Sequence, residues 1–344
     1  MSVPLASLTT LRVGGPARSL VTVRTEAELV AAVATADAAD SPVLVLGGGS
    51  NLLVADAGFD GTVVHVQTRG VRVLQGDWCG GILVTVAAGE PWDAFVERTV
   101  AEGWVGVEAL SGIPGSTGAT PLQNVGAYGQ EVAQTVARVR TWDRLEGQVR
   151  TFPSADCLFG YRTSRFSGDD RFVVLDVTFQ LLPGPLGRPV GYTELGEALG
   201  VGVGGRAPVP DVRAAVLGLR QGKGMVLDEA DHDTWSAGSF FTNPVVDAGA
   251  VPAGAPAWPQ PDGAVKVSAA WLIEQAGFAR GFPGEGAPAR LSTKHTLALT
   301  NRGTATAEHV RALASQVRSA VAQRFGVVLQ PEPQLVGLAL DPVR

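Results

Sequence analysis

Apolar and polar positions divide the chain into short alternating runs, a few helical stretches and long connections rich in glycine and proline. Residues 26–39 are alanine-rich with helically spaced apolar positions, which predicts a helix. A wholly apolar strand follows at 43–46, then Gly47-Gly48-Gly49-Ser50-Asn51 and a second apolar run at 52–54. Glycine-bounded β-branched runs at 61–66, 70–74 and 82–87 predict further strands. An amphipathic helix is predicted over 92–102, and after the glycine-dense zone 110–129 strands resume at 136–142 and 172–182. Helices are expected at 211–221, 268–276 and 307–325, with closing strands at 327–329 and 334–337. Segments 183–189, 201–210 and 248–262 read as loops or a hinge because Gly and Pro punctuate them. This order of elements predicts an α+β fold, with no internal repeat or coiled coil.

At 344 residues the chain exceeds one ordinary domain and can bury real cores without staples. Its hydrophobic content of 45%, charged content of 17% and net charge of -6 describe a soluble globular protein with no nucleic-acid surface. No apolar run approaches a membrane span of about 18 residues. An acidic balance does not exclude an anionic ligand, since a few local Lys or Arg residues can hold one. The start, Met1-Ser-Val-Pro-Leu-Ala-Ser, lacks a basic region followed by a long apolar one, so a cytoplasmic protein is expected. Cys79 and Cys157 are far apart and outside any C-x-x-C spacing, which argues for small packing residues and against a disulfide framework. His65, His232, His295 and His309 form no ligand pattern, and no metal is expected.

Five stretches carry candidate chemistry. Glycines at 47, 48 and 49 leave room for backbone N–H groups to approach an anion, with Ser50 and Asn51 as further donors. A tight turn is the plainer alternative, and a dinucleotide-binding G-x-G-x-x-G turn is disfavoured by the spacing. A second cluster, Ser111-Gly-Ile-Pro-Gly-Ser-Thr-Gly-Ala-Thr120 followed by Gln123-Asn-Val-Gly-Ala-Tyr-Gly129, makes two turns a poorer explanation than one shared ligand. Arg162 and Arg165 stand among aromatic residues in Phe159-Gly-Tyr-Arg-Thr-Ser-Arg-Phe166, where a guanidinium fork could bind a carboxylate, or simply pack on Tyr161. Gly238-Ser-Phe-Phe-Thr-Asn-Pro244 sets a hydroxyl, Ser239, and an amide, Asn243, between aromatic and proline anchors. Glu332 sits between two prolines that stiffen its backbone.

These motifs, in this order from Leu8-Thr-Thr-Leu-Arg-Val-Gly-Gly15 to Glu332, resemble the UDP-N-acetylenolpyruvoylglucosamine reductase (MurB) family in its longer, type I form. That family lies within the FAD-binding superfamily of vanillyl-alcohol oxidase. The resemblance implies two α+β subdomains with FAD between them, residues 1–67 with 325–344 and residues 68–205, and an α+β substrate domain over 206–324. Gly47, Gly48, Gly49, Ser50 and Asn51, with Gly112, Ile113, Pro114, Gly115, Ser116 and Thr117 and with Gln123, Asn124, Gly126 and Ala127, are then expected around the cofactor. Other members tether the flavin through His or Cys, and neither cluster has one, so FAD is expected to be non-covalent.

By the same resemblance Ser239, Arg162 and Glu332 are the catalytic residues, and Tyr192, Lys223, Asn243 and Arg280 contact the UDP-sugar. Gln330 departs from the pattern, since the family commonly has an acidic residue there, which leaves Glu332 as the candidate. The expected reaction passes hydride from NADPH through the flavin to UDP-N-acetylglucosamine enolpyruvate, with Ser239 supplying a proton; a monomer is expected. An FAD-dependent sugar or alcohol oxidase and a non-catalytic flavin- or UDP-sugar-binding module remain the rivals.

Overall fold

The computed structural model describes residues 3–77 and 80–343, so Cys79 lies outside the described residues. The chain packs as two units, one of Arg18–Gly48 and Asp60–Gly222, the other of Met1–Ala17, Gly49–Phe59 and Lys223–Arg344. The boundary after Gly48 falls inside the first glycine cluster.

The larger unit contains helices α1 (Glu26–Ala38), α2 (Trp92–Ala101), α3 (Thr193–Leu199) and α4 (Val209–Gly222). Its main sheet runs in the order Gln148–Pro153, Val136–Asp143, Phe172–Pro183, Gly81–Ala87, Val71–Asp77, all antiparallel. Trp104–Val105 adds to the end of the long central strand. Along that strand, Phe172–Pro183, the face bearing Phe179 is apolar, and Trp92 and Phe95 of α2 cover Phe179 at centroid distances of 5.8 and 5.2 Å. A second sheet orders Ala17–Val23, Phe59–Val66 and Val43–Leu46, the last two parallel. Helix α1 begins with a capping box, Thr25 accepting from the Glu28 N–H while Glu28 accepts from Thr25. Arg140 of Val136–Asp143 and Arg144 just past its end pair with Glu26 and Asp37 of α1.

In the smaller unit α5 (Ala269–Gln275) and α6 (Ala307–Phe325) pack on Phe240, Phe241, Leu291 and Leu299. Three small sheets join them: Ser236–Ser239, Ala298–Asn301 and Ala289–Leu291; Val245–Val246, Val265–Val267 and Ala257–Pro259; and the parallel pair Leu52–Val54 with Gln334–Val336. Helix α6 matches its expected bounds because both ends are marked in sequence. Thr306 caps it, the Asp56 carboxylate accepts from the Ala307 and Glu308 N–H groups, and Gly326 leaves it with φ 69°.

The expected strand at 327–329 does not form. Val327 and Leu329 are buried, but Arg318 takes the Leu329 carbonyl and prolines at 331 and 333 remove donors from the run that follows, so the segment packs as an extended rope. The strands Ala17–Val23 and Gln148–Pro153 and helix α3 had no expectation attached to them, because their apolar periodicity is short or absent.

Candidate functional site

In the larger unit the two glycine clusters meet backbone to backbone. A Cβ on Gly47 would lie 2.1 Å from Ser116 Oγ, and one on Gly48 would lie 2.6 Å from Gly115 Cα. Only glycine allows this approach at 48, and Gly115, at φ 117°, occupies backbone space that side chains rarely reach. The second cluster is laced to the start of α2. Trp92 N–H donates to Gly115 O at 3.0 Å, Thr117 N–H to Glu90 O at 2.8 Å and Gly118 N–H to Ala88 O at 2.8 Å. Trp92 Nε1–H reaches Leu110 O at 3.1 Å, and the Gly112 N–H donates to Asp93 Oδ1 at 2.6 Å. Among the described residues, the N–H groups of Gly47, Gly48, Ile113, Gly115 and Ser116 make no bond within the protein. Backbone donors without a protein acceptor, gathered where two glycine-rich segments touch, suit a diphosphate.

Asn124 has a different use for its side chain. It is buried at φ 43°, its Nδ2 donates to Glu131 and to the Gly160 carbonyl, and its Oδ1 accepts from the Ala133 N–H. Both amide hydrogens are thus taken by the fold. Arg162, at φ 52°, lies along the same segment, Nη1 to Asn124 O at 3.2 Å and Nη2 to Gly126 O at 2.6 Å, with its guanidinium 5.5 Å from the Tyr161 ring centroid. Arg165 donates instead to Asp156 O and lies over Phe152, which separates the two arginines of the octet.

Tyr192 precedes α3, about half exposed, its ring edge-on to Tyr128 at 5.6 Å. Gly129 and Gly191 touch beside this pair. Burial pushes the Tyr128 hydroxyl up to about 12, against the pull of Arg220, and burial followed by Glu194 raises Tyr192.

The smaller unit brings together two residues far apart in sequence. Ser239 ends its strand opposite Ala298; immediately after it Glu332 N–H donates to Phe240 O at 2.9 Å, Phe241 bridges Pro331, and Thr242 N–H donates to Gln330 O at 3.1 Å. Phe240 and Phe241, each 1% exposed, anchor the run. Asn51 Nδ2 donates to Glu332 O at 3.2 Å and its carbonyl accepts from the Gln334 N–H at 3.0 Å, so Asn51 serves the carboxylate-bearing segment. Glu332 is half-buried while Gln330 is exposed. Asn243 Oδ1 accepts from the Ala269 N–H at 2.9 Å at the start of α5. Lys223 is half-buried and Arg280 exposed in this unit. Cys157 of the larger unit is buried, its thiol pushed up to about 11 by burial. No group of His, Cys, Asp and Glu suited to a metal occurs among the described residues.

Sequence reasoning missed Asp93, Glu90 and Trp92, which hold the second glycine cluster in shape. The only available signal was their place at the start of an amphipathic helix just before that cluster.

Residues 229–336 match the family described as UDP-N-acetylenolpyruvoylglucosamine reductase, C-terminal domain, and residues 17–152 match a family described as FAD binding domain. A UDP-N-acetylenolpyruvoylglucosamine reductase of Cutibacterium acnes is 57% identical over 340 residues, 98% of this chain and 90% of the relative. One of Salinispora arenicola is 54% identical over 346 residues, 98% of this chain and 95% of the relative. The crystal structure of UDP-N-acetylenolpyruvylglucosamine reductase (MurB) from Thermus caldophilus superposes with a TM-score of 0.67 at 26% identity, covering 98% of each chain.

Proposed function

Because the chain belongs to the UDP-N-acetylenolpyruvoylglucosamine reductase family, we infer that it reduces UDP-N-acetylglucosamine enolpyruvate to UDP-N-acetylmuramate with NADPH, through bound FAD. The observation that carries the chemical reading is the pairing of the Ser239–Thr242 run with 330–332, which sets a hydroxyl and a carboxylate on neighbouring backbones.

The paired glycine clusters fit a dinucleotide diphosphate, with Gly47, Gly48, Ile113, Gly115 and Ser116 as backbone donors. When bound, FAD relays hydride from NADPH to the terminal methylene carbon of the enolpyruvyl ether. Arg162 and Glu332 act on the enolate that results, the guanidinium balancing charge on the substrate carboxylate as it grows. Ser239 then gives its Oγ proton to the adjacent carbon and recovers one from solvent. A serine hydroxyl is a weak acid, so the step needs the strongly basic carbon that hydride addition creates.

Tyr192, Lys223, Asn243 and Arg280 hold the UDP-sugar, and residues 1–67 with 325–344, 68–205 and 206–324 are the two flavin subdomains and the substrate domain. The enzyme works as a cytoplasmic monomer supplying a peptidoglycan precursor on which cell shape and division depend. Among the described residues no helix is long and apolar enough to cross a membrane.

The test is anaerobic. NADPH should bleach the flavin absorbance and the enolpyruvyl substrate should restore it. Bleaching reversed only by oxygen would favour an oxidase, and no bleaching a flavin-binding module.

A further inference from the structure

We propose that Asp93 and Arg213 are positioning residues for the flavin diphosphate, fixing the peptide plane at Gly112 so that the N–H groups of Ile113, Gly115 and Ser116 face the ligand together. The proposal rests on the cofactor reading above and adds two side chains to it.

Asp93 lies in the first turn of α2. Its Oδ1 accepts from the Gly112 N–H at 2.6 Å and from Arg213 Nη1 at 2.7 Å, and its Oδ2 accepts from Arg213 Nη2 at 3.0 Å. The guanidinium therefore grips the carboxylate with both prongs, which fixes the plane as well as the place of the group. Arg213 belongs to α4, and its side chain is only 12% exposed. Each helix also has apolar anchors of its own besides the pair. Helix α2 is seated by Trp92, Phe95 and Val96, and α4 by Val209, Val212 and Val216, all nearly or fully buried.

What the pair determines is local. The Gly112 N–H turns onto Asp93 and the Thr117 N–H onto the Glu90 carbonyl, so both ends of the cluster are tied to the residues that begin α2. Of the non-proline residues between those ties, Ile113, Gly115 and Ser116 keep N–H groups with no acceptor in the protein among the described residues. Gly112, expected from sequence to touch the cofactor, then serves as the pivot of the nest. If the tie at Gly112 were lost, its peptide, at φ 70°, would be free to turn and take the following donors out of register.

The experiment titrates apo-protein with FAD and records the visible circular dichroism of the bound flavin, for the parent and for Asp93→Ala, Asp93→Asn and Arg213→Ala. Asp93→Ala is expected to weaken FAD about tenfold to a hundredfold, as for a lost hydrogen bond to a charged group, and to change the dichroism. Asp93→Asn, which keeps an acceptor for Gly112, should recover part of that loss. Arg213→Ala should fall between the two, with the melting temperature of the apo-protein close to the parent's. Parent affinity and an unchanged dichroic spectrum in Asp93→Ala would overturn the proposal. So would weak binding in Asp93→Ala and Arg213→Ala that merely tracks lower melting temperatures, with the spectrum of bound flavin unaltered. If the parent itself takes up no FAD, the cofactor reading fails, which is a separate result.

Discussion

Gly48→Ala tests the meeting of the two glycine clusters most directly. The new Cβ would stand 2.6 Å from Gly115 Cα and 3.0 Å from its carbonyl carbon, where ordinary contact begins at 3.4 Å. Both obstructing atoms are backbone, so no side chain can swing aside, and the two segments must separate by several tenths of an ångström or more. Position 48 has no left-handed φ, so alanine meets only the steric obstacle. Overpacking of this size costs about 1–3 kcal/mol. If the opened pair must close again around the diphosphate, FAD affinity should fall about fivefold to a hundredfold. The assay is FAD titration of apo-protein beside a thermal melt. Gly47→Ala provides the comparison, because its Cβ meets mainly Ser116 Oγ at 2.1 Å, a side-chain atom. Ser116→Gly should rescue Gly47→Ala and leave Gly48→Ala impaired, a coupling read from the double-mutant cycle. Parent affinity in a well-folded Gly48→Ala would refute the reasoning, because the approach of the clusters would then not matter to the ligand.

Three further outcomes are expected. Ser239→Ala should be reduced by NADPH at close to the parent rate yet reoxidise on the enolpyruvyl substrate about a hundredfold to ten-thousandfold more slowly in stopped flow; equal reoxidation would remove the hydroxyl from the chemistry. Tyr192→Phe should raise the KM for the UDP-sugar and leave flavin reduction intact, whereas slow reduction with normal KM would contradict its assignment to substrate. Glu108→Gln should destabilise the fold by about 1–3 kcal/mol in a denaturant melt, because an amide NH₂ would replace an acceptor in a site where the buried carboxylate now takes N–H groups from Gly106, Gln130 and Arg188; an unchanged midpoint would mean those donors find water.

Elements that carry their own boundary markers were legible in the chain. Thr306 and Gly326 enclose α6, Thr25 opens α1, and the β-branched and apolar run from Phe172 reads as a strand. Features that depend on a distant partner were not. Nothing near Asp93 foretells that its carboxylate will meet Gly112 and Arg213, and nothing near Asn124 says that its amide hydrogens are taken by Glu131 and Gly160. The apolar residues at 327–329 predict a strand by composition, while the absence of a ladder depends on Arg318 and on the prolines that follow. The candidate catalytic residues were legible only through the ordered resemblance of whole motifs, since Ser239 and Glu332 lie nearly a hundred residues apart and neither is unusual alone.

The placement of Glu332 shows how local chemistry and distant pairing combine. Pro331 and Pro333 carry no N–H, so over 331–333 the only backbone donor is that of Glu332. That donor goes to Phe240, next to Ser239, while the Glu332 carbonyl accepts from the Asn51 amide. The backbone of Glu332 is therefore held from both sides, by the serine-bearing run and by the end of the first glycine cluster. Replacing the carboxylate alone leaves both backbone bonds in place, so loss of its charge is separable from loss of its position. A proline on each side limits the alternatives for this stretch before folding, which lowers the entropy lost in fixing it. Stiffness of the backbone at Glu332 thus comes from two prolines readable in the sequence, whereas its backbone partners, Phe240 and Asn51, are brought to it only by the folded chain.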